Sequence, residues 1–274
     1  MQYKGVLKTN SVLDDFVEVN KRLIASAKQS VSTQQLQVQC LRITPRTSLL
    51  KNLQSKKSKG EMLLIAEIKK ASPALGNINI DIDIPKQAQL YEESGASCIS
   101  VLTQPHKFAG SLADLKLISS FAKLPLLRKD FIFDTYQILE AKANGASAIL
   151  LIVALLDDAL LNELYYFATE ISLDVIVEVH TLDELQRAEK LNPQIIGVNS
   201  RNLKTMEINL KDGTGLLSQI NINCFKIAES GITNNNDVRL AKLAGADGVL
   251  VGSAIMQAAD PATFIKKLLN VNAN

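Results

Sequence analysis

Three near-copies of one phrase constrain the fold more than anything else in the chain: "SGASCISVL" from Ser94, "NGASAILLI" from Asn144 and "AGADGVLVG" from Ala244. Each sets a glycine behind a helical pattern and follows it with an apolar, β-rich run. Glycine takes the left-handed conformation that ends a helix at little cost, so each phrase reads as helix stop, short loop and buried strand. The glycines fall at 95, 145 and 245. With about 25 residues per strand-plus-helix unit, that spacing makes these strands two, four and eight of a regular array.

Apolar runs fill the gaps: "MLLIAEI" from Met62, "PLLRK" from Pro125, "DVIVEV" from Asp174, "QIIGVN" from Gln194 and "FKIAES" from Phe225. Between them lie stretches with apolar spacing of three and four. "TLDELQRAEKL" from Thr181, for example, sets Leu182, Leu185, Ala188 and Leu191 on one face. Eight apolar strands alternating with helices predict a parallel sheet covered by helices, and eight regular units favour closure into a (β/α)8 TIM barrel. An open doubly wound sheet is the competitor, but no G-x-G-x-x-G follows the first strand. The opening 60 residues stand outside the array. In "SVLDDFVEVNKRLIASA", Ser11 and Asp14 are spaced as a capping box, and Leu13, Phe16, Val17, Leu23 and Ile24 share a helical face. The expectation is one barrel domain over residues 1–274, with residues 1–60 as an N-terminal helical extension packed outside or across one barrel end.

Composition narrows the class. At 274 residues and 47% hydrophobic, the chain can build one large core. A net charge of +2 argues for neither a nucleic-acid footprint nor a membrane-seeking face. The basic cluster "SKKSKGE", Ser55 to Glu61, reads as a solvated loop. "MQYKGVLKTN" lacks the pattern of a signal peptide, and the apolar run from Ala148 to Leu156 is too short to span a bilayer. Cys40, Cys98 and Cys224 form no C-x-x-C pair, which speaks against a disulfide framework or zinc site and fits a reducing cytoplasm. Two histidines, His106 and His180, are too few for a histidine-rich metal centre.

In such a barrel the reactive groups sit at the C-terminal ends of the strands, and alternate residues of a strand face the same side. The inward parity collects Ile65, Glu67 and Lys69 on strand one, then Leu127 and Lys129 on strand three. It continues with Ile176, Glu178 and His180 on strand five, Gly197, Asn199 and Arg201 on strand six, and Ile227, Glu229 and Gly231 on strand seven. One such lysine is usually a solvated edge residue. Five strands agreeing in parity form a ring, and buried charge is costly without a task or a partner, so the ring reads as an active site. Arg128 and Asp130 have the opposite parity and are expected to face the helices, with Asp130 able to orient Lys129. His180 reads as a structural or supporting residue. Two further signals join the ring. "ESGIT" after strand seven and "VGSAIM" after strand eight offer glycines and a helix start at Ser253, the usual phosphate grip of this fold. Phe108, Phe131 and the apolar end of strand four either form a slot for a flat ring or simply cap the core.

At these residues the chain resembles indole-3-glycerol phosphate synthase. The matching phrases are "IAEIKKASPALG", "SVLT" with "FAGS", "PLLRKDFI", "LIVALL", "VIVEVH", "IIGVNSRNL", "IAESGI" and "GVLVGSAIM", in order over about the last 210 residues. The resemblance implies conversion of 1-(2-carboxyphenylamino)-1-deoxyribulose 5-phosphate to indole-3-glycerol phosphate, with loss of carbon dioxide and water, using neither metal nor organic cofactor. By position, Lys129 would be the acid on the ribulose carbonyl oxygen and Glu178 would move protons in the dehydration. Lys69 would meet the substrate carboxylate or share the dehydration proton work. Glu67, Asn199 and Glu229 would bind hydroxyls and hold the lysines. Ser72, Gly231, Gly252 and Ser253 would hold the phosphate, with Arg201 and Ser230 in support. Phe108 and Phe131 would flank the anthranilate ring.

The loop "SPALGNINIDIDIP" departs from the family pattern at Ala74-Leu75 and is a candidate lid, while Asp81 and Asp83 read as loop or cap residues rather than magnesium ligands. Replacing Lys129 by alanine is expected to abolish turnover with folding and binding nearly unchanged. The partner expected is a phosphorylated small molecule, for a cytoplasmic chain acting as a monomer or weak homo-oligomer. The rivals are another phosphate-binding TIM barrel, such as phosphoribosylanthranilate isomerase or a Schiff-base aldolase using Lys69 or Lys129, and a non-catalytic phosphate-binding barrel. The isomerase resemblance calls for a cysteine ending strand one, where this chain has Glu67-Ile68-Lys69.

Overall fold

The computed structural model describes residues 3–43 and 46–270. The end residues of the expected 1–274 domain, and Thr44 and Pro45 within its extension, lie outside the described residues. Eight parallel strands close into a barrel in chain order: β1 (Leu63–Ile68), β2 (Cys98–Leu102), β3 (Leu126–Lys129), β4 (Ala148–Ile152), β5 (Asp174–Val179), β6 (Ile195–Asn199), β7 (Phe225–Glu229) and β8 (Gly248–Val251). Strand β8 pairs with β1, Leu250 opposite Ile65, and leaves no edge. Both faces of the strands are covered, which is why β1, β2, β4 and β8 are buried at every residue and read as unbroken apolar runs. The repeat does what its glycines require. Gly95, Gly145 and Gly245 sit at φ of 100°, 84° and 94°, just before β2, β4 and β8.

The extension holds three helices, α1 (Val12–Ser30), α2 (Thr33–Leu41) and α3 (Leu49–Ser58). Helix α1 lies across the C-terminal mouth of the barrel, where Val12, Leu13 and Phe16 join the strand ends in lining one cavity. Helix α3 serves the opposite mouth. Leu49 and Leu53 are fully buried. Asn52 Nδ2 donates to the Ser97 carbonyl ahead of β2 at 2.9 Å, and Ser48 Oγ donates to Asp174 at the start of β5 at 2.8 Å.

Four local expectations are corrected. Ser11 caps α1 through the Leu13 N–H, but Asp14 turns back to the N–H groups of Thr9 and Asn10, so the two do not close a capping box. Leu23 is 43% exposed and does not join the buried face of α1, which Leu13, Phe16, Val17, Asn20 and Ile24 make up. The "SKKSKGE" run is not all loop. Its first half is the last turn of α3, and lysines at that end favour the helix dipole. In α8 (Leu182–Leu191), Leu185, Ala188 and Leu191 are buried, while Leu182 begins the helix and stays 45% exposed.

The remaining helices are α4 (Ile84–Glu93), α5 (Leu112–Ser119), α6 (Thr135–Ala143), α7 (Asp158–Glu170), α9 (Leu210–Leu217), α10 (Asn235–Leu243), α11 (Ser253–Met256) and α12 (Pro261–Leu269). Asp83 caps α4, as its spacing anticipated. Among the described residues no helix is long and apolar enough to cross a membrane.

Candidate active site

A cavity of about 500 Å³ opens at the C-terminal ends of the strands. Glu67, Lys69, Lys129, Glu178, Asn199, Arg201 and Glu229 all line it. Register explains the convergence. Glu178 pairs across from Gly197, and Asn199 from Glu229, so the polar residues step around the mouth at nearly one height. Two glycines make room for them. A Cβ at Gly197 would overlap Glu229 Oε1 and come within 2.9 Å of Ile176 Cγ2. A Cβ at Gly252 would overlap Glu67 Oε1.

Within the ring, Lys129 Nζ lies 3.2 Å from Glu178 Oε2 and 3.4 Å from Glu229 Oε2, while Lys69 Nζ lies 2.8 Å from Glu67 Oε1. Burial works against the charge on Lys129, but Glu178, Glu229 and Glu67 together outweigh it and hold its pKa above the usual lysine value. The sequence left open whether desolvation or the carboxylates would win there; the carboxylates do. Burial also opposes ionisation of both partner glutamates, yet they part company. Glu178 faces both Lys129 and His180 and is held below the ordinary carboxylate range. Glu229, desolvated and repelled by Glu178 despite Lys129, is pushed up to about 8. At neutral pH Glu178 is ionised while Glu229 holds a proton, two carboxylates set apart by their surroundings.

Arg128 lies off the cavity as its parity required, whereas Asp130, expected to face the helices, reaches the cavity wall. The two form a buried pair at 3.0 Å, with Arg128 also reaching Gln137 and Glu140 of α6. The Asp130 oxygens are engaged by Arg128, Thr103, Asn20 of α1 and the Phe131 N–H, and not by Lys129. His180 does not line the cavity. Its ring sits between Glu178 and Glu184, and the two carboxylates outweigh burial to raise its pKa to about 9.

Ser72, Ser230, Gly231, Gly252 and Ser253 gather on the same cavity wall set. Ser72 belongs to a short hairpin, Ala71–Ser72 against Gly76–Asn77, so the candidate lid carries its own two-stranded ladder. After β7 the chain takes positive φ at two successive residues, Ser230 (63°) and Gly231 (82°). For a serine this costs roughly 1–2 kcal/mol. Gly252 caps α11 without a side-chain hydrogen bond, so the first N–H groups of that helix remain open to an anion.

Phe108 and Phe131 line the cavity beside Leu150 and Ile152 of β4. The sequence reading missed Phe16. Its ring stacks on Phe131 at 4.2 Å between centroids and 5° between planes, and lies 5.5 Å from Phe108. The apolar stripe of α1 was the available signal, but a stripe does not say which end of the barrel it covers. Thr233 and Ile208 were missed too; Ile208 reaches the cavity because the loop after β6 folds back to bridge Arg201.

A closed (β/α)8 barrel with a buried lysine–carboxylate cluster at its C-terminal mouth defines the class, a TIM-barrel enzyme. The family model described as indole-3-glycerol phosphate synthase matches residues 13–268. A Streptococcus pneumoniae (strain Hungary19A-6) protein of that description is 46% identical over 250 residues, covering 90% of this chain and 95% of the relative. Another, from strain 70585, is 47% identical over 234 residues, covering 85% and 89%. The chain belongs to the indole-3-glycerol phosphate synthase family. Among solved structures, a 3-hexulose-6-phosphate synthase matches with a TM-score of 0.63 at 17% identity, over 77% of this chain and all of that one. Thiamine phosphate pyrophosphorylase from Pyrococcus furiosus matches with a TM-score of 0.57 at 17% identity, over 82% and 97%. At such identity these two speak for the fold alone.

Proposed function

We propose that this chain carries out the ring closure for which its family is named, as a carboxy-lyase of tryptophan biosynthesis. The substrate is 1-(2-carboxyphenylamino)-1-deoxyribulose 5-phosphate. A bond forms between the carboxyl-bearing aryl carbon and the ribulose carbonyl carbon, carbon dioxide leaves, and loss of water gives indole-3-glycerol phosphate. The observation that carries the assignment of roles is the meeting of Lys129, Glu178 and Glu229 in one cavity with the two carboxylates shifted in opposite directions.

Lys129 protonates the carbonyl oxygen as the ring closes; three glutamates keep that proton in place through the neutral range. Glu178, ionised, takes a proton during dehydration. Lys69 meets the substrate carboxylate or shares that proton work, while Glu67, Asn199 and Glu229 bind hydroxyls and position the lysines. The phosphate rests on Ser72, Gly231, Gly252 and Ser253, with Arg201 and Ser230 in support. The aryl ring lies against Phe108, Phe131 and the end of β4, so the reacting carbons are held together in a site of limited water. A Schiff-base role for Lys129 needs a neutral amine, which the surrounding carboxylates disfavour. We place the chain in the cytoplasm, as a monomer or weak homo-oligomer. Incubating the purified protein with the substrate and following indole fluorescence tests the reading: product should accumulate with enzyme concentration, and no signal above the uncatalysed rate would overturn it.

A further inference from the structure

His180 is a buried titratable group to which the mechanism above gives no task. It follows β5 directly, with a side chain 5% exposed, and both ring nitrogens approach carboxylates. Nε2 lies 3.3 Å from Glu178 Oε1, and Nδ1 lies 3.2 Å from Glu184 Oε2 in the first turn of α8. Glu184 is itself fixed. Its Oε2 accepts the His180 backbone N–H at 2.8 Å, and its own N–H donates to Thr181 Oγ1, the cap of α8, at 3.3 Å. The other Glu178 oxygen, Oε2, faces Lys129 at 3.2 Å. Each oxygen of Glu178 therefore has its own cation, Lys129 at the end of β3 and His180 just past β5.

Lys129 does not belong to Glu178 alone. Lys69 is engaged by Glu67, which leaves Lys129 facing the two buried carboxylates of Glu178 and Glu229. A lone lysine between two carboxylates stabilises one of them fully and the other in part. The charged groups facing His180 are Glu178 from β5 and Glu184 from α8; Lys129 and Glu229 lie beyond the Glu178 carboxylate. We propose that His180 is a positioning residue, which with Glu184 behind it fixes the orientation of the Glu178 carboxylate and keeps it in the ionised, proton-accepting form. The proposal rests on the reading of Glu178 as a proton-transfer group.

The backbone bond from His180 to Glu184 already joins β5 to α8, so a merely structural role needs no imidazolium. The pH dependence of turnover separates the two roles. In His180→Gln the charge at Oε1 is gone, Glu178 protonates more readily, and the acid limb of the kcat profile moves to higher pH by about one unit or more. Its kcat at neutral pH falls roughly ten- to a hundredfold as the carboxylate loses its fixed orientation, with KM nearly unchanged. Glu184→Gln keeps the imidazole but removes one of its two carboxylates. The histidine then deprotonates at lower pH, and the alkaline limb of kcat moves down by about one unit. If His180→Gln does not fold, Glu184→Gln decides alone. Folded variants whose kcat–pH profiles superimpose on the wild type would overturn the proposal. A wild-type protein that leaves the substrate unchanged would instead overturn the function it rests on.

Discussion

Replacing Lys129 by methionine, of similar length but without charge, removes the cation that Glu178 and Glu229 share at 3.2 Å and 3.4 Å. Both carboxylates are almost wholly buried. Taking one partner from a buried pair costs about 3–5 kcal/mol, because the remaining charge has no compensation. The expectation from sequence that folding would be indifferent to loss of this lysine is therefore revised. The cost also depends on pH. With Lys129 gone, Glu178 and Glu229 both protonate more readily, so folding the variant takes up as much as one more proton than folding the wild type. Each such proton is worth ~1.4 kcal/mol per pH unit, so the variant's deficit is smaller at pH 6.5 than at pH 8, by up to about 2 kcal/mol. Turnover should fall by roughly 10²–10⁴ at both pH values, since no other group delivers the proton to the carbonyl oxygen. Urea midpoints at the two pH values and initial rates of indole fluorescence measure both effects. A midpoint deficit identical at pH 6.5 and 8, or a kcat within tenfold of wild type, would refute the reasoning.

Other outcomes follow from single contacts. Gly252→Ala should displace the Glu67 carboxylate and cost about 1–3 kcal/mol by overpacking; wild-type kcat and an unchanged urea midpoint would contradict it. Phe16→Ala removes the ring stacked on Phe131, so the variant should lose about 3–5 kcal/mol and show a raised KM; a KM equal to wild type would mean that α1 takes no part in binding. His180 holds its proton to about 9 in the fold against 6.5 in the unfolded chain. Its contribution is complete below about pH 6.5 and is lost as pH rises through about 9. Glu229, raised to about 8, acts in the same sense between about 4.5 and 8. The wild-type urea midpoint should therefore decline from pH 6.5 to 9, and the decline should be shallower in His180→Gln; a flat wild-type profile would count against both shifts.

The glycines at 95, 145 and 245 were legible because a left-handed helix end followed by a buried strand leaves few alternatives, and the period of such units counts strands directly. The charged ring was legible for a related reason. Parallel strands of a barrel alternate strictly, so Glu67, Lys129, Glu178, Asn199 and Glu229 could be assigned to one side before any contact was known. What escaped depends on how elements meet. The stripe of α1 announced a buried face, yet only the packed chain shows that Phe16 is laid on Phe131. Leu23 and Leu182 fit their helical faces and remain exposed. The bond between His180 and Glu184 is set by the turn from β5 into α8, and the opposite shifts of Glu178 and Glu229 follow from the pairing of Glu178 with a second cation. Neither can be read from spacing.

The account depends most on the shared geometry of the phosphate grip and the lysine–carboxylate centre. A crystal structure with indole-3-glycerol phosphate bound tests that directly. The phosphate should lie within hydrogen-bond reach of the Gly231 and Ser253 N–H groups, with the indole against Phe108 and Phe131 and the Lys129 ammonium beside the new ring. Product bound away from Lys129 and Glu178, or with its phosphate at another loop, would contradict it.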